Sequence, residues 1–336
     1  MMAVENGLSM RTRALDTVVR CGLSMLGGRA PDVRLSTLIF HRVLPGLDPL
    51  FPGEMYSERF DSVCGWISRW FNVLPLDQAA RRLDAGTLPP RALAITFDDG
   101  YADNHGIAAP ILRRYGLSAT FFVATGYLDG GRMFNDTVIE ALRRTKLDKL
   151  DVSPLGLAGL GRLPLTTIAE RRAAIDALIG AVKYLEPGVR QRTVDELARL
   201  ARVESPTDLM MTRDQVRSLR ANGMLVGAHT RSHPILARLS PGEASAEILG
   251  GKADLEDIVG RDIDLFAYPN GRPGVDYTAD SVQVVKSMGF AAAVSTNWGV
   301  ARKGCDLFQL PRFTPWDRGA LSFALRSMRN LRLTAQ

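Results

Sequence analysis

The sequence is poor in cysteine, histidine, lysine and aromatic residues, and it contains no long apolar run. Its three cysteines, Cys21, Cys64 and Cys305, are odd in number, widely spaced and form no C-x-x-C pair. That excludes a disulfide framework and a thiolate metal site, and reduced structural thiols are expected. No stretch reaches the roughly 18 residues of a spanning helix. The N-terminus lacks the apolar core and small-residue cleavage site of a secretory signal, so a cytoplasmic protein is expected. Only six of the 42 basic residues are lysines, the arginines form no block, and aromatics are 7% without interleaving. A nucleic-acid surface is therefore not expected, and the net charge of +6 reads as a solvated surface. What is present, 46% hydrophobic and 23% charged residues over 336 positions, is enough for a globular core.

Residues 10 to 26 carry Leu15, Val18, Val19, Gly22 and Leu26 at helical spacing, with Arg11, Arg13 and Arg20 elsewhere on the wheel. This is an amphipathic helix, which can lie on a membrane surface; packing on the domain is favoured, since one apolar stripe is what any surface helix shows. From residue 35 onward seven short segments rich in β-branched or aromatic residues alternate with helical patterns: 35–40, 71–74, 92–97, 118–123, 224–228, 264–268 and 290–295. The run from Ala92 to Phe97 is nearly all apolar, as in a strand covered on both faces of a parallel sheet. Capping boxes at Thr212–Gln215 and Ser240–Glu243 open helices, and Gly223 closes the first of these before the next strand. An α/β architecture follows. The stretch 129–211 is too long for one crossover and reads as a helical insertion. The expected organisation is a helical segment over 1–34, an α/β body over 35–317 containing that insertion, and a C-terminal helix over 318–336.

Four segments fall at the carboxyl ends of expected strands: His41, Asp98-Asp99-Gly100, His229-Thr-Arg-Ser-His233 and Pro269-Asn270-Gly271. In parallel α/β sheets those ends open on one face, where ligands bind. The two histidines sit on a loop, because Pro234 disfavours a helix there. Two neutral imidazoles converging with a carboxylate make a three-ligand site for a divalent metal, with Asp99 as the third ligand and a position left for water. Asp98 can then stand beside that water as a general base, the turn at Gly100 bringing both carboxylates to one site. A lone histidine is more often a core residue, and an Asp before Gly is often a turn former. Neither reading explains two aspartates opposite two histidines.

Thr96-Phe-Asp-Asp-Gly100, His229-Thr-Arg-Ser-His233-Pro234 and Phe266-Ala-Tyr-Pro-Asn-Gly271 together resemble the motifs of the polysaccharide deacetylase family, also called the NodB-homology domain or carbohydrate esterase family four. The resemblance spans roughly residues 35 to 315 without the insertion. It implies a distorted (β/α)7 barrel that removes acetyl groups from N-acetylated glycans. It further implies Asp98 as base, Asp99, His229 and His233 as metal ligands, and Pro269, Asn270 and Gly271 lining the groove, with the Asn270 amide as oxyanion donor. Zinc suits the ligand set, as do cobalt, nickel and iron.

Two features depart from that pattern. Ala267 stands where many members carry an arginine that steadies the base; Arg312 is a candidate substitute, an ordinary surface arginine being the alternative. No histidine follows His233 to serve as the acid. His41 is the candidate, similar to a subgroup that includes poly-N-acetylglucosamine deacetylases, whereas His105 in the helix after the Asp pair reads as structural. A metal-containing glycan binder without turnover, and a hydrolase of another carbon–nitrogen bond, stay open at this stage, as does the oligomeric state.

Overall fold

The computed structural model describes residues 10–333; residues 1–9 and 334–336 of the expected terminal segments lie outside the described residues. The strands are β1 (Ser36–Phe40), β2 (Asn72–Val73), β3 (Ala92–Phe97), β4 (Thr120–Val123), β5 (Lys149–Asp151), β6 (Arg162–Pro164), β7 (Leu225–Ala228), β8 (Leu265–Ala267) and β9 (Ala292–Val294). The helices are α1 (Met10–Leu26), α2 (Ser57–Trp70), α3 (Leu76–Ala85), α4 (Ala109–Arg114), α5 (Phe134–Arg144), α6 (Ile168–Val182), α7 (Pro187–Leu200), α8 (Arg213–Ala221), α9 (Pro241–Val259), α10 (Ala279–Ser287) and α11 (Ala320–Asn330).

Six strands form a curled parallel sheet in the order β1-β3-β4-β7-β8-β9 with helices around it, the distorted (β/α) barrel expected. Segment 71–74, expected as one of the seven barrel strands, supplies only β2, which pairs with the start of β3 (Asn72↔Ala92) and lies off the main path. The seventh stave is instead Leu310–Phe313, which was not expected as a strand. Leu310 bridges Val294 and Phe313 bridges Leu38, both in parallel. The Ser295 N–H donates to the Leu310 carbonyl at 2.9 Å, and the Phe313 N–H to that of Thr37 at 3.0 Å. Pro311 has no N–H to give a ladder. The segment therefore bonds β9 through one end and β1 through the other, joining the two edges of the sheet.

Register fixes where the strands end. Phe40 pairs with Phe97, Val123 with Ala228, Ala228 with Phe266 and Ala267 with Val294, so the residues that follow emerge on one rim. Phe40, Phe97 and Phe121 stand side by side, with centroids 5.2 and 4.8 Å apart, and meet Phe60 of α2. Each such ring contributes about 1.5–3 kcal/mol by burial. The capping boxes at Thr212 and Ser240 are both formed, opening α8 and α9. Helix α1 buries Val19 and Leu23, with Leu15 and Leu26 packed alongside, and Asp16 accepts from the Trp70 indole at 2.5 Å.

The chain divides into two compact units: one runs to Gly46 and continues through Met55–Leu128 and from Met211 onward, and the other comprises Leu47–Glu54 and Asp129–Met210. The second unit packs α5, α6 and α7 around Leu142, Ile175, Leu178, Val194 and Leu197. It is not purely helical, because β5 and β6 pair as an antiparallel hairpin within it. No helix among the described residues is long and apolar enough to cross a membrane.

Candidate metal and catalytic site

Asp98 leaves β3 at the barrel rim and is fully enclosed. Both of its oxygens accept from Arg312, Oδ1 from Nη1 and Oδ2 from Nη2, each at 2.7 Å. Arg312 is 0% exposed, so it is no surface arginine. Its Nε donates to the Ser295 carbonyl at 2.8 Å and its Nη1 to Thr96 Oγ1 at 3.1 Å, while Thr96 donates to the Leu38 carbonyl at 2.7 Å. The guanidinium is thus locked between β9, β3 and β1 in the forked geometry that holds a carboxylate. Burial would raise the Asp98 pKa, but the charge of Arg312, then His229, the Arg312 hydrogen bonds and His41 outweigh it and hold the carboxyl below its ordinary range. Asp98 is ionised.

Asp99 takes φ 77° and Gly100 φ 92°. In an extended strand adjacent carboxylates face opposite ways; two left-handed residues in succession turn the chain at the rim, so that Asp99 meets the histidine loop. Asp99 Oδ1 lies 3.5 Å from the Nε2 of both His229 and His233. The three candidate ligand atoms fall within 4.8 Å of one another. Asp99 Oδ1 is buried without a hydrogen-bond donor. Such an oxygen costs on the order of 1–3 kcal/mol or more if left unsatisfied, and a cation beside it removes that cost. His229 Nδ1 is 2.7 Å from the Ala267 carbonyl, which can only accept, so the proton sits on Nδ1 and the Nε2 lone pair faces Asp99. Burial above all pushes His233 down to about 4, keeping its ring neutral. Burial lowers His229 as well, but Asp99 and Asp98 beside it and the Ala267 carbonyl raise it on balance. For Asp99 the His229 ring, with His233 and His41, overcomes burial and holds the carboxyl low. One ionised carboxylate and two imidazoles, that of His229 with its lone pair oriented by the Ala267 carbonyl, fit a divalent ion.

The histidine loop is strained and braced. Thr230 and His233 have φ 62° and 52°, and the His233 N–H donates to Thr230 Oγ1 at 3.1 Å. Helix α9 lies directly behind it. Glu247 accepts from the Arg231 and Ser232 amides at 3.0 and 2.8 Å, and Asp254 pairs with Arg231 at 2.7 Å and accepts from Thr125 at 2.7 Å. A Cβ on Gly251 would lie 2.7 Å from the Thr230 carbonyl group, so only glycine allows this approach.

The other expected residues stand on the same rim. His41 follows β1, is exposed, and is close enough for its charge to act on Asp98, Asp99 and His233. Its turn is pinned to the segment after the aspartates. Asp103 accepts from Arg42 at 2.8 Å and from the Val43 amide at 3.0 Å, and Asn104 donates to the His41 carbonyl at 2.8 Å. Pro269-Asn270-Gly271 forms a tight turn with Asn270 at φ 58°, closed by the Gly271 N–H on the Pro269 carbonyl at 2.7 Å. Thr296 holds this turn, donating from its amide to Gly271 O and from its hydroxyl to Asn270 O, both at 2.8 Å. His105 is apart from the cluster, its Nε2 lying 3.0 Å from Ser218 Oγ. Sequence reasoning missed Thr96, Ser295, Glu247, Asp254 and the Ala267 carbonyl. The Gly250-Gly251 pair inside a helix is the one local signal that could have pointed to α9.

A family profile described as polysaccharide deacetylase matches residues 85–149 and 189–293, half of the chain. The YxkH protein of Bacillus subtilis strain 168, whose name describes it as a polysaccharide deacetylase, is 20% identical over 281 residues, or 83% of this chain and 70% of that protein. Among solved structures, the deacetylase PplD of Streptococcus pyogenes, in complex with acetate, aligns with TM-score 0.59 at 19% identity over 88% of this chain and 99% of that one. IcaB from Ammonifex degensii aligns with TM-score 0.56 at 19% identity over 87% and 97%. The two structural likenesses establish the fold, and the profile, which spans the aspartate pair, the histidine loop and the Asn270 turn, establishes the lineage: the chain belongs to the polysaccharide deacetylase family.

Proposed function

We propose that the protein is a metal-dependent hydrolase that removes N-acetyl groups from an N-acetylhexosamine-containing polysaccharide or glycan. The observation that carries this reading is the pairing of two different carboxylates at one rim. Asp98 is held ionised by Arg312, and its neighbour Asp99 shares a ligand cluster with His229 and His233. Mere binding of a glycan needs no base locked in place by a buried arginine.

Asp99, His229 and His233 would hold the ion, zinc or else cobalt, nickel or iron. When bound, such an ion supplies Lewis acidity and eases deprotonation of water toward neutral pH. Asp98 takes a proton from the attacking water as its oxygen bonds to the acetyl carbon, and the fork from Arg312 fixes the carboxylate for that transfer. The N–H of Asn270, an exposed residue in its turn, donates to the oxyanion that develops on the carbonyl oxygen. An amine is a poor leaving group until protonated, so His41 donates a proton to nitrogen as the carbon–nitrogen bond breaks. Acetate and a free amino sugar leave.

The test is acetate release from N-acetylated hexosamine oligosaccharides by the purified protein before and after chelation, with zinc or cobalt added back. Activity should vanish on chelation and return with metal. Asp98→Asn should bind metal normally yet turn over slower by a factor of about 10² to 10⁴. Chelator-insensitive acetate release, or a fully active Asp98→Asn protein, would overturn the assignment.

A further inference from the structure

Seven of the thirteen large apolar side chains left exposed among the described residues lie on one face: Val18, Met25, Trp298, Trp316, Leu321, Leu325 and Leu333. Helix α11 turns Phe323, Ala324, Ser327 and Asn330 inward. At about 100° per residue, Leu321, Ser322, Leu325 and Arg329 form the opposite stripe. Leu321 and Leu325 are 59% and 58% exposed. The stripe continues onto α1. Gly22 sits flush against Met328, where a Cβ would lie 2.7 Å from its methyl carbon. Val18 and Met25, four before and three after Gly22, lie beside that contact on the side away from the buried Val19 and Leu23. On the other flank, Trp298 and Trp316 stand 6.0 Å apart, and a cleft of about 400 Å³ lies among Trp298, Leu325, Arg326, Arg329 and Leu333.

The charge on this face has one sign. Between Trp316 and Leu333 there are four arginines, Arg318, Arg326, Arg329 and Arg332, against Asp317, which is buried and paired with Arg326. Arg329 and Arg332 have no carboxylate partner among the described residues.

We propose that this face docks on an anionic phospholipid bilayer. The leucines and indoles reach the boundary between headgroups and acyl chains, and the arginines meet lipid phosphates, the distribution of an interfacial rather than a spanning surface. A glycan would use the two indoles but gains little from exposed leucines. A second copy of the chain set face to face would oppose arginine to arginine.

The experiment is co-sedimentation of the full chain with phosphatidylcholine vesicles with and without phosphatidylglycerol, at low and raised salt. Binding is expected only to the phosphatidylglycerol vesicles, weakening with salt. Leu321→Glu/Leu325→Glu and, separately, Arg329→Glu/Arg332→Glu should each lower the partition coefficient roughly tenfold. Melting temperature and acetate release from soluble oligosaccharides should stay unchanged in both. The proposal is overturned if wild type ignores phosphatidylglycerol vesicles at low salt, if both vesicle types bind alike, or if the variants bind like wild type. It is equally overturned if vesicle binding is absent and Trp298→Ala instead raises KM for oligosaccharides, which marks a glycan surface, or if Leu321→Glu/Leu325→Glu converts a dimer to a monomer.

Discussion

Replacing Arg312 with methionine tests how the base is held. The change removes both donors from Asp98 and keeps most of the buried volume. A carboxylate left alone in that setting protonates rather than stay charged. For a group whose ordinary pKa is 3.8, protonation at pH 7 costs about 4 kcal/mol, at 1.36 kcal/mol per unit. That agrees with the roughly 3–5 kcal/mol found when one partner of a buried pair is removed. At pH 5 the same proton costs only about 1.5 kcal/mol, so the penalty should shrink by more than half between pH 7 and pH 5. The sign differs between the two proteins. In the wild type the Asp98 pKa is depressed, so its stabilisation is full above the ordinary carboxylate value and is lost only as pH falls through the lower folded value. In Arg312→Met the strongest opposing charge and both hydrogen bonds are gone, leaving only His229 and His41 against burial, so the penalty is smallest at low pH and grows as pH rises above about 4. Denaturant unfolding at pH 5, 6 and 7, with chelator present so that ion binding does not contribute, measures this. Asp98→Asn/Arg312→Met should recover most of the loss, because no buried charge remains. At pH 7 turnover of Arg312→Met should fall by a factor of about 10² to 10⁴, its base being protonated. A pH-independent loss of stability, or a double variant no more stable than Arg312→Met alone, would refute the reasoning.

The parts of this molecule that sequence made legible are those whose signal is local. Ala92–Phe97 is apolar at every position but Thr96 and forms β3 as expected, buried throughout. Thr212 with Gln215 and Ser240 with Glu243 are self-contained capping boxes four residues long, and both appear as expected. The aspartate pair and the histidine pair each sit next to such a segment, so the rim could be assembled before any coordinates. Leu310–Phe313 carries no such mark. It is short, holds a proline, and becomes a stave only because β9 and β1, far apart in sequence, offer their edges to it. The burial of Arg312 follows from that closure, which is why an exposed arginine was an equal reading from sequence. Segment 71–74 fails for the converse reason. Its residues suit a strand, but β4 takes the end of β3 that leads to the rim, leaving β2 only Ala92 and Leu93. On α1 the apolar spacing located the helix, yet placed Val18 in the buried stripe, where the packing leaves it 67% exposed.

Three further perturbations probe the rest of the rim. Asp99→Ala or His233→Ala should cut cobalt or zinc affinity at least tenfold in equilibrium dialysis, and unchanged binding would remove either from the ligand set. His41→Ala should slow amide hydrolysis far more than hydrolysis of an aryl acetate, whose leaving group needs no proton; equal losses on both would remove it from the acid role. Gly251→Ala tests whether the histidine loop is set by the helix behind it. The new methyl would lie 2.7 Å from both C and O of Thr230, well inside contact distance. Helix α9 cannot retreat, since Ile248 and Leu255 are fully buried on the same element. The loop must therefore yield, and Thr230 lies next to His229 and three residues before His233. A cost of about 1–3 kcal/mol in stability is expected for such overpacking, together with a 10–100-fold loss of metal affinity as the two rings lose their common focus. Gly242→Ala, in the first turn of the same helix with open space around it, is the control and should leave affinity unchanged. If Gly251→Ala titrates with cobalt like the wild type, the loop holds its shape without α9 and the brace from Glu247 and Asp254 is incidental to the site.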